Sequence, residues 1–179
     1  MMTVPELCTG IATECELPEE LLNQKSAKFV GVVRDISWNE LKLLVAANRL
    51  DLLGRKSPDE LEYQADLRRI REEYGSVAAF VRQVKLAEFL ADPSTRYLMI
   101  PNDYPYALQG RTTHYIIWSK AKLTHSSVPD AKVRELFESK LDAQLGAGKY
   151  EWVWFVNPPQ LQSIPEVFHG HLLVRELDD

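Results

Sequence analysis

The sequence predicts an α+β fold, with N-terminal helices packed on a mainly antiparallel sheet. Two observations predict it. Apolar residues recur by threes and fours up to about residue 91, then alternate by twos in aromatic and β-branched runs from about residue 95. The helices come first, and the strands follow with one helical segment among them. A chain of 179 residues is long enough for one hydrophobic core. The expected organisation is an irregular segment over 1–26 and a single domain over 27–179, helical over about 36–91 and β-rich over about 95–177.

Residues 1–26 show no periodicity. Ser37 and Glu40 then form a capping box, and Trp38, Leu41 and Val45 share the face of a helix that Gly54 is expected to stop. Ser57, Pro58 and Glu60 repeat that start signal. Tyr63, Leu67, Ile70, Tyr74, Val77, Val81 and Val84 make a stripe expected to be core, divided near Gly75 and Ser76. The runs "RYLMI", "THYIIWS", "YEWVWFV" and "FHGHLLVREL" read as strands. Between the second and third, Val133, Leu136, Phe137 and Leu141 make an amphipathic helix closed by Gly146.

Composition narrows the function. A net charge of −5 argues against a general nucleic-acid coat or an anionic membrane surface as partner. Two cysteines, Cys8 and Cys15, are too few for a disulfide framework and read as plain thiols in a reducing compartment. The N-terminus lacks the apolar core of a signal peptide, and no run reaches membrane-spanning length, so a cytoplasmic location and no membrane partner are expected. Glycine-rich phosphate loops, GxSxG and HExxH are missing, and no cofactor is expected.

Three stretches can carry chemistry. Strand alternation puts Val167, His169, His171, Leu173 and Arg175 on one face, with Gly170 on the other, where it permits close approach. The same period aligns His114, Ile116, Trp118 and Lys120 in "THYIIWSK". Neighbouring strands would bring three imidazoles and a lysine to one surface. The competing reading is half-buried histidines with satisfied hydrogen bonds, or an HxH pair sharing one metal ion. "PNDYPYALQG" offers Asn102, Asp103, Tyr104 and Tyr106 on a proline-stiffened loop, with Asp103 as a base, a histidine-orienting group or a partner for a cation. "FVNPPQLQSIP" offers Asn157, Gln162 and Ser163, suited to a carbonyl, a phosphate or a ribose. Arg68, Arg69, Arg71, Arg82 and Lys85 read mostly as a solvated face balanced by Glu72, Glu73 and Glu88.

Taken in order, "NRLDLLGRKSPDELEY", "NDYPY", "THYIIWSK", "WFVNPPQLQS" and "VFHGHLLV" resemble the fungal N-acetylglucosamine-induced protein family over residues 36–176. The β-rich half also resembles the histidine-triad fold of nucleotide hydrolases and transferases. That likeness implies His171 as nucleophile, His114 and Lys120 on the matching strand, and Asn157 and Gln162 near the phosphate, with Leu173 where a third histidine belongs. The wider fungal family implies a different reaction, arginine-containing cyclodipeptide formation from aminoacyl-tRNA. Asp103 would then hold the guanidinium, His169 or His171 would be the base, and Arg68, Arg71, Arg82, Lys85, Lys120 and Lys122 would form a basic approach. This second reaction is the leading expectation. A nucleotide-containing small molecule is the alternative substrate, and a non-catalytic regulator of the sugar response is a third reading. Catalysis is expected at His171, His169, Asp103 and His114. Substrate binding is expected at Asn102, Tyr104, Tyr106, Trp118, Lys120, Asn157, Gln162 and Ser163. Replacing His171 with Asn is expected to abolish turnover without lowering the melting temperature, whereas His169→Asn should leave activity.

Overall fold

A computed structural model describes residues 17–178. Cys8 and Cys15 lie outside them. Six α-helices are found among the described residues: α1 (Glu19–Leu22), α2 (Trp38–Ala46), α3 (Ser57–Tyr74), α4 (Val77–Phe80), α5 (Ala87–Ala91) and α6 (Ala131–Leu145). Four strands follow the same numbering: β1 (Tyr97–Pro101), β2 (Thr112–Ser119), β3 (Tyr150–Phe155) and β4 (His169–Glu176). They form one antiparallel sheet in the order β1-β2-β4-β3. The fold is α+β, as the periodicity predicts.

Several local signals act as read. The Ser37 hydroxyl accepts the Glu40 amide while Glu40 accepts the Ser37 amide, which closes the capping box of α2. Gly75, at φ 81°, ends α3, and the Ser76 hydroxyl caps α4. Asp130 caps α6, and Gly146 closes it.

Other signals act differently. Asn48, at φ 55°, turns the chain after α2 six residues before Gly54, because its short polar side chain tolerates the left-handed region. Glu60 does not cap α3, since its carboxylate is drawn to Arg55. Part of the 1–26 segment is ordered, with Leu17 and Leu21 buried against Trp38, Leu41 and Leu44.

Register decides what each sheet face carries. Ile116 pairs with His171 and Trp118 with His169 on β2 and β4, while Phe155 of β3 also pairs with His171. Residues directly opposite point the same way, so one face bears His114, Ile116, Trp118, His169, His171, Leu173, Val153 and Phe155. The other face bears Tyr115, Ile117, Leu172, Val174 and Trp154, and it is covered by Val133, Phe137 and Leu141 of α6. The histidine face is covered in two pieces. Around α2, Leu41 and Leu44 meet Val153, Phe155 and Leu173. Around α3 and α4, Leu67, Val77 and Val81 meet Ile116 and Trp118. His114 and His171 lie along the seam between these two apolar clusters.

Gly170 shows why the β4 sequence reads HGH. A Cβ built there would stand 2.1 Å from the Trp154 ring, which packs against the glycine on the α6 face. Any side chain must displace that indole. Gly170→Ala is expected to destabilise the protein by roughly 1–3 kcal/mol through overpacking, read as a lower urea midpoint. An unchanged midpoint would show that the indole can move freely.

Candidate functional site

Between the sheet and α3 lies a cavity of about 360 Å³. The helical stripe is core, as expected, and the same residues also form one wall of the cavity. Tyr63, Leu67, Ile70, Tyr74, Val77 and Val81 line it, while Val84 is 52 % exposed. A π-turn over Val81–Lys85 continues from α4 and aims Lys85 inward. Ile116, Trp118, His169 and His171 form the sheet side, and Asn102, Asp103, Tyr104, Tyr106, Asn157 and Ser163 come from the two loops.

Most of the residues singled out from sequence therefore converge. Three do not line this cavity. His114 is buried behind His171. The Lys120 ammonium bonds the Asp92 carbonyl and lies over Phe89, because β2 ends at Ser119 and the alternation stops there. Gln162 donates to the Asn157 carbonyl and lines a smaller neighbouring cavity. His125 is apart from the site, its ring held at the Val156 carbonyl.

The tautomers of His114 and His171 follow from one main-chain group. The Tyr106 N–H points at His114 Nδ1 at 3.1 Å, and a backbone N–H can only donate. Burial pushes the His114 imidazolium down to about 3, so the ring is neutral and its proton sits on Nε2. That N–H donates to His171 Nδ1 at 2.9 Å. His171, held neutral by burial and then by its neighbours His114 and His169, must carry its proton on Nε2. The Asn157 amide lies 3.1 Å beyond. Two donors cannot share that line, so the amide turns its oxygen to the ring. Both nitrogens of His171 are thus engaged, and its one lone pair faces His114.

His169 has the opposite arrangement. Its Nδ1–H donates to the Val167 carbonyl at 2.8 Å, which leaves the lone pair on Nε2. Burial holds this ring neutral too. No described residue hydrogen-bonds Nε2, the side chain is half-buried, and the ring packs 4.9 Å from Trp118 at the cavity wall. The Trp118 indole N–H is itself buried without a partner among the described residues.

The cations of the cavity are paired with carboxylates. Arg55 donates to Glu60 at 3.0 Å and to the Tyr104 carbonyl at 3.0 Å, with its guanidinium 3.7 Å over Tyr63. Lys85 pairs with Asp103, and burial lowers the ammonium below its usual range. Lys85 thus belongs to the site and not to a solvated face. The sequence reading gave Glu60 and Tyr63 structural roles and did not place them, or Arg55, in the site. A signal existed: Glu60, Tyr63 and Leu67 follow the three-and-four spacing, and a carboxylate on an apolar stripe requires a buried partner. Among the described residues, no group of three or more His, Cys, Asp or Glu side chains is placed to hold a metal. No described helix is long and apolar enough to cross a membrane.

A family model described as a protein of unknown function, DUF3605, matches residues 37–175. The chain belongs to that family. It is 37 % identical over 89 residues to the uncharacterized protein YPL067C of Saccharomyces cerevisiae, covering 45 % of this chain and 44 % of that protein. The matched stretch is therefore under half of the yeast protein's length. It is 23 % identical to N-acetylglucosamine-induced protein 1 of Candida albicans, covering 80 % of this chain and 69 % of that protein. The crystal structure of HTC1 superposes with a TM-score of 0.56 at 30 % identity, covering 78 % of this chain and 84 % of that one. These relatives bear out the family resemblance read from the motifs.

The buried imidazoles tie stability to pH. His114, His169 and His171 have folded-state values below their unfolded ones, so the unfolded chain binds more protons as pH falls. Their contribution is whole above about pH 6.5 and is lost as pH drops through that value. Each proton adds a slope of about 1.4 kcal/mol per pH unit. Urea midpoints are expected to fall steadily from pH 7 to pH 5, a window above most carboxylate titration. A flat profile would mean these rings are not held neutral.

Proposed function

We propose that this chain is a hydrolase or group-transfer enzyme for a small nucleotide-containing molecule, with His169 as the group that attacks. The orientation of His169 carries this reading. Its ring is fixed through Nδ1–H to a main-chain carbonyl, and its Nε2 lone pair is left free at the cavity wall. The volume falls in the range of small-molecule sites, and Tyr63, Tyr104, Phe80 and Trp118 suit a planar base. In the first step Nε2 forms a bond to phosphorus while the bond to the leaving oxygen breaks, and that oxygen takes a proton from solvent. Water then cleaves the N–P bond. His171, His114 and Asn157 support the floor beneath the substrate.

Aminoacyl-tRNA-dependent cyclodipeptide formation is the second reading, with His169 as base for the attacking amine. Three of the six cations it needs already have protein partners: Arg82 on the Glu166 carbonyl, Lys85 on Asp103 and Lys120 on the Asp92 carbonyl. Asp103, wanted for the guanidinium, is the carboxylate that Lys85 holds. These contacts put the nucleotide reading first.

The test compares two variants on a dinucleoside polyphosphate, a nucleotide sugar and a nucleoside phosphoramidate. His169→Asn is expected to lower nucleotide release by on the order of a hundred- to ten-thousand-fold with the melting temperature kept. His171→Asn is expected to lower the melting temperature, since it leaves the His114 N–H unpaired in the interior. This inverts the order that strand position alone suggests. Full activity in His169→Asn would refute the assignment. Cyclic dipeptides formed from charged tRNA, with salt-sensitive tRNA binding, would favour the second reading.

A further inference from the structure

We propose that the Tyr106 hydroxyl is the ligand-facing hydrogen-bond donor of the cavity, selecting molecules that present a terminal phosphoryl or carbonyl oxygen beside His169; this rests on the cavity's being the active site. The hydrogen-bond chain imposes it. Starting at the Tyr106 main-chain N–H, the direction of donation runs through His114 and His171 to the Asn157 amide oxygen. The Asn157 oxygen is then taken by the His171 N–H, so it is not free to accept from the neighbouring Tyr106 hydroxyl on the same cavity wall. The phenolic proton must find another acceptor, and no described residue supplies one.

The ring cannot swing the proton elsewhere. Tyr106 lies 4.6 Å from the His114 ring, 5.6 Å from His171 and 6.4 Å from Phe155, the last two stacked. It is half-buried and borders the cavity. His169 is also 5.6 Å from His171, on the same sheet face. The fixed donor and the fixed lone pair therefore both border the ring of His171. Burial holds the phenol protonated, and the Arg55 charge 5.8 Å from the ring polarises it toward donation. An electrophile whose terminal oxygen meets Tyr106 presents its phosphorus or carbon to His169, and charge building on that oxygen strengthens the bond.

Nitrogen-15 NMR of the imidazoles in the intact chain tests the direction of the chain without any substrate. His114 and His171 are expected as Nε2–H tautomers and His169 as Nδ1–H. A His171 protonated at Nδ1 reverses the chain and overturns the proposal. Calorimetry with phenylphosphonate and benzoate, planar probes bearing a phosphoryl and a carboxyl group, tests the donor. At least one is expected to bind, about tenfold more weakly to Tyr106→Phe, in keeping with one hydrogen bond to a charged acceptor. Whichever probe shows the loss names the preferred oxygen. Equal affinities, or no binding of either probe to the unaltered chain, overturn it. Neither measurement needs turnover, so a silent His169 would fail the proposed function while leaving this result legible.

Discussion

The pairing of β2 with β4 is the constraint on which the rest depends. With Ile116 opposite His171, the His114 and His171 rings meet at 2.9 Å in the seam between two apolar clusters. A slip of one residue would turn β4's imidazoles onto the α6 face and set Leu172 among the helices of the other side. The register is protected from both directions. Leu172, Leu173 and Val174 are almost fully buried, so each must face its own cluster, and Gly170 must lie under Trp154. Polar rings inside a core are tolerated because each has a partner, and a chain of bonds in one direction leaves no donor facing a donor. The same chain joins the loop of Asn102 and Tyr106 to the loop of Asn157 and Gln162, so the sheet positions both sides of the cavity at once.

Much of this was legible in the residues. Period-two alternation placed His114, His169 and His171 on one face because side-chain direction in a strand is a matter of parity alone. The capping box at Ser37 was legible because it is local. Roles were less so. Which nitrogen of His171 holds its proton traces through His114 to the main-chain amide of Tyr106, 65 residues away, and no spacing rule reaches that far. The helical stripe was legible as core but not as the wall of a cavity. Periodicity marks a face that leaves water, but not whether side chains or an empty space lie beneath it. Lys120 misled because parity was carried one residue past the strand's end.

The electrostatics set this site apart from one built for a polyanion. Arg55 is matched by Glu60, Lys85 by Asp103 and Arg69 by Asp66, so the cavity gathers charge without a large net sign. Paired charges resist the loss of hydration better than single ones, although such pairs fix geometry more than they add stability. Arg55 is the extreme case. It is 13 % exposed, stacked on one tyrosine and bonded to the backbone of another, which makes it a strut for the loop that carries Tyr104 and Tyr106.

The π-turn at Val81–Lys85 gives the fold an adjustable part. A π-turn holds an extra residue relative to a regular α-helix. Removing the exposed Val84 would let the segment wind as an ordinary helix, and Lys85 would move by one position, about 100°, around it. Lys85 would leave Asp103 with its chemistry unchanged and only its bearing altered. Chain length at this point thus acts as a dial. An insertion or deletion between relatives there would change what the cavity offers to a ligand, while the sheet and its histidines stayed in place.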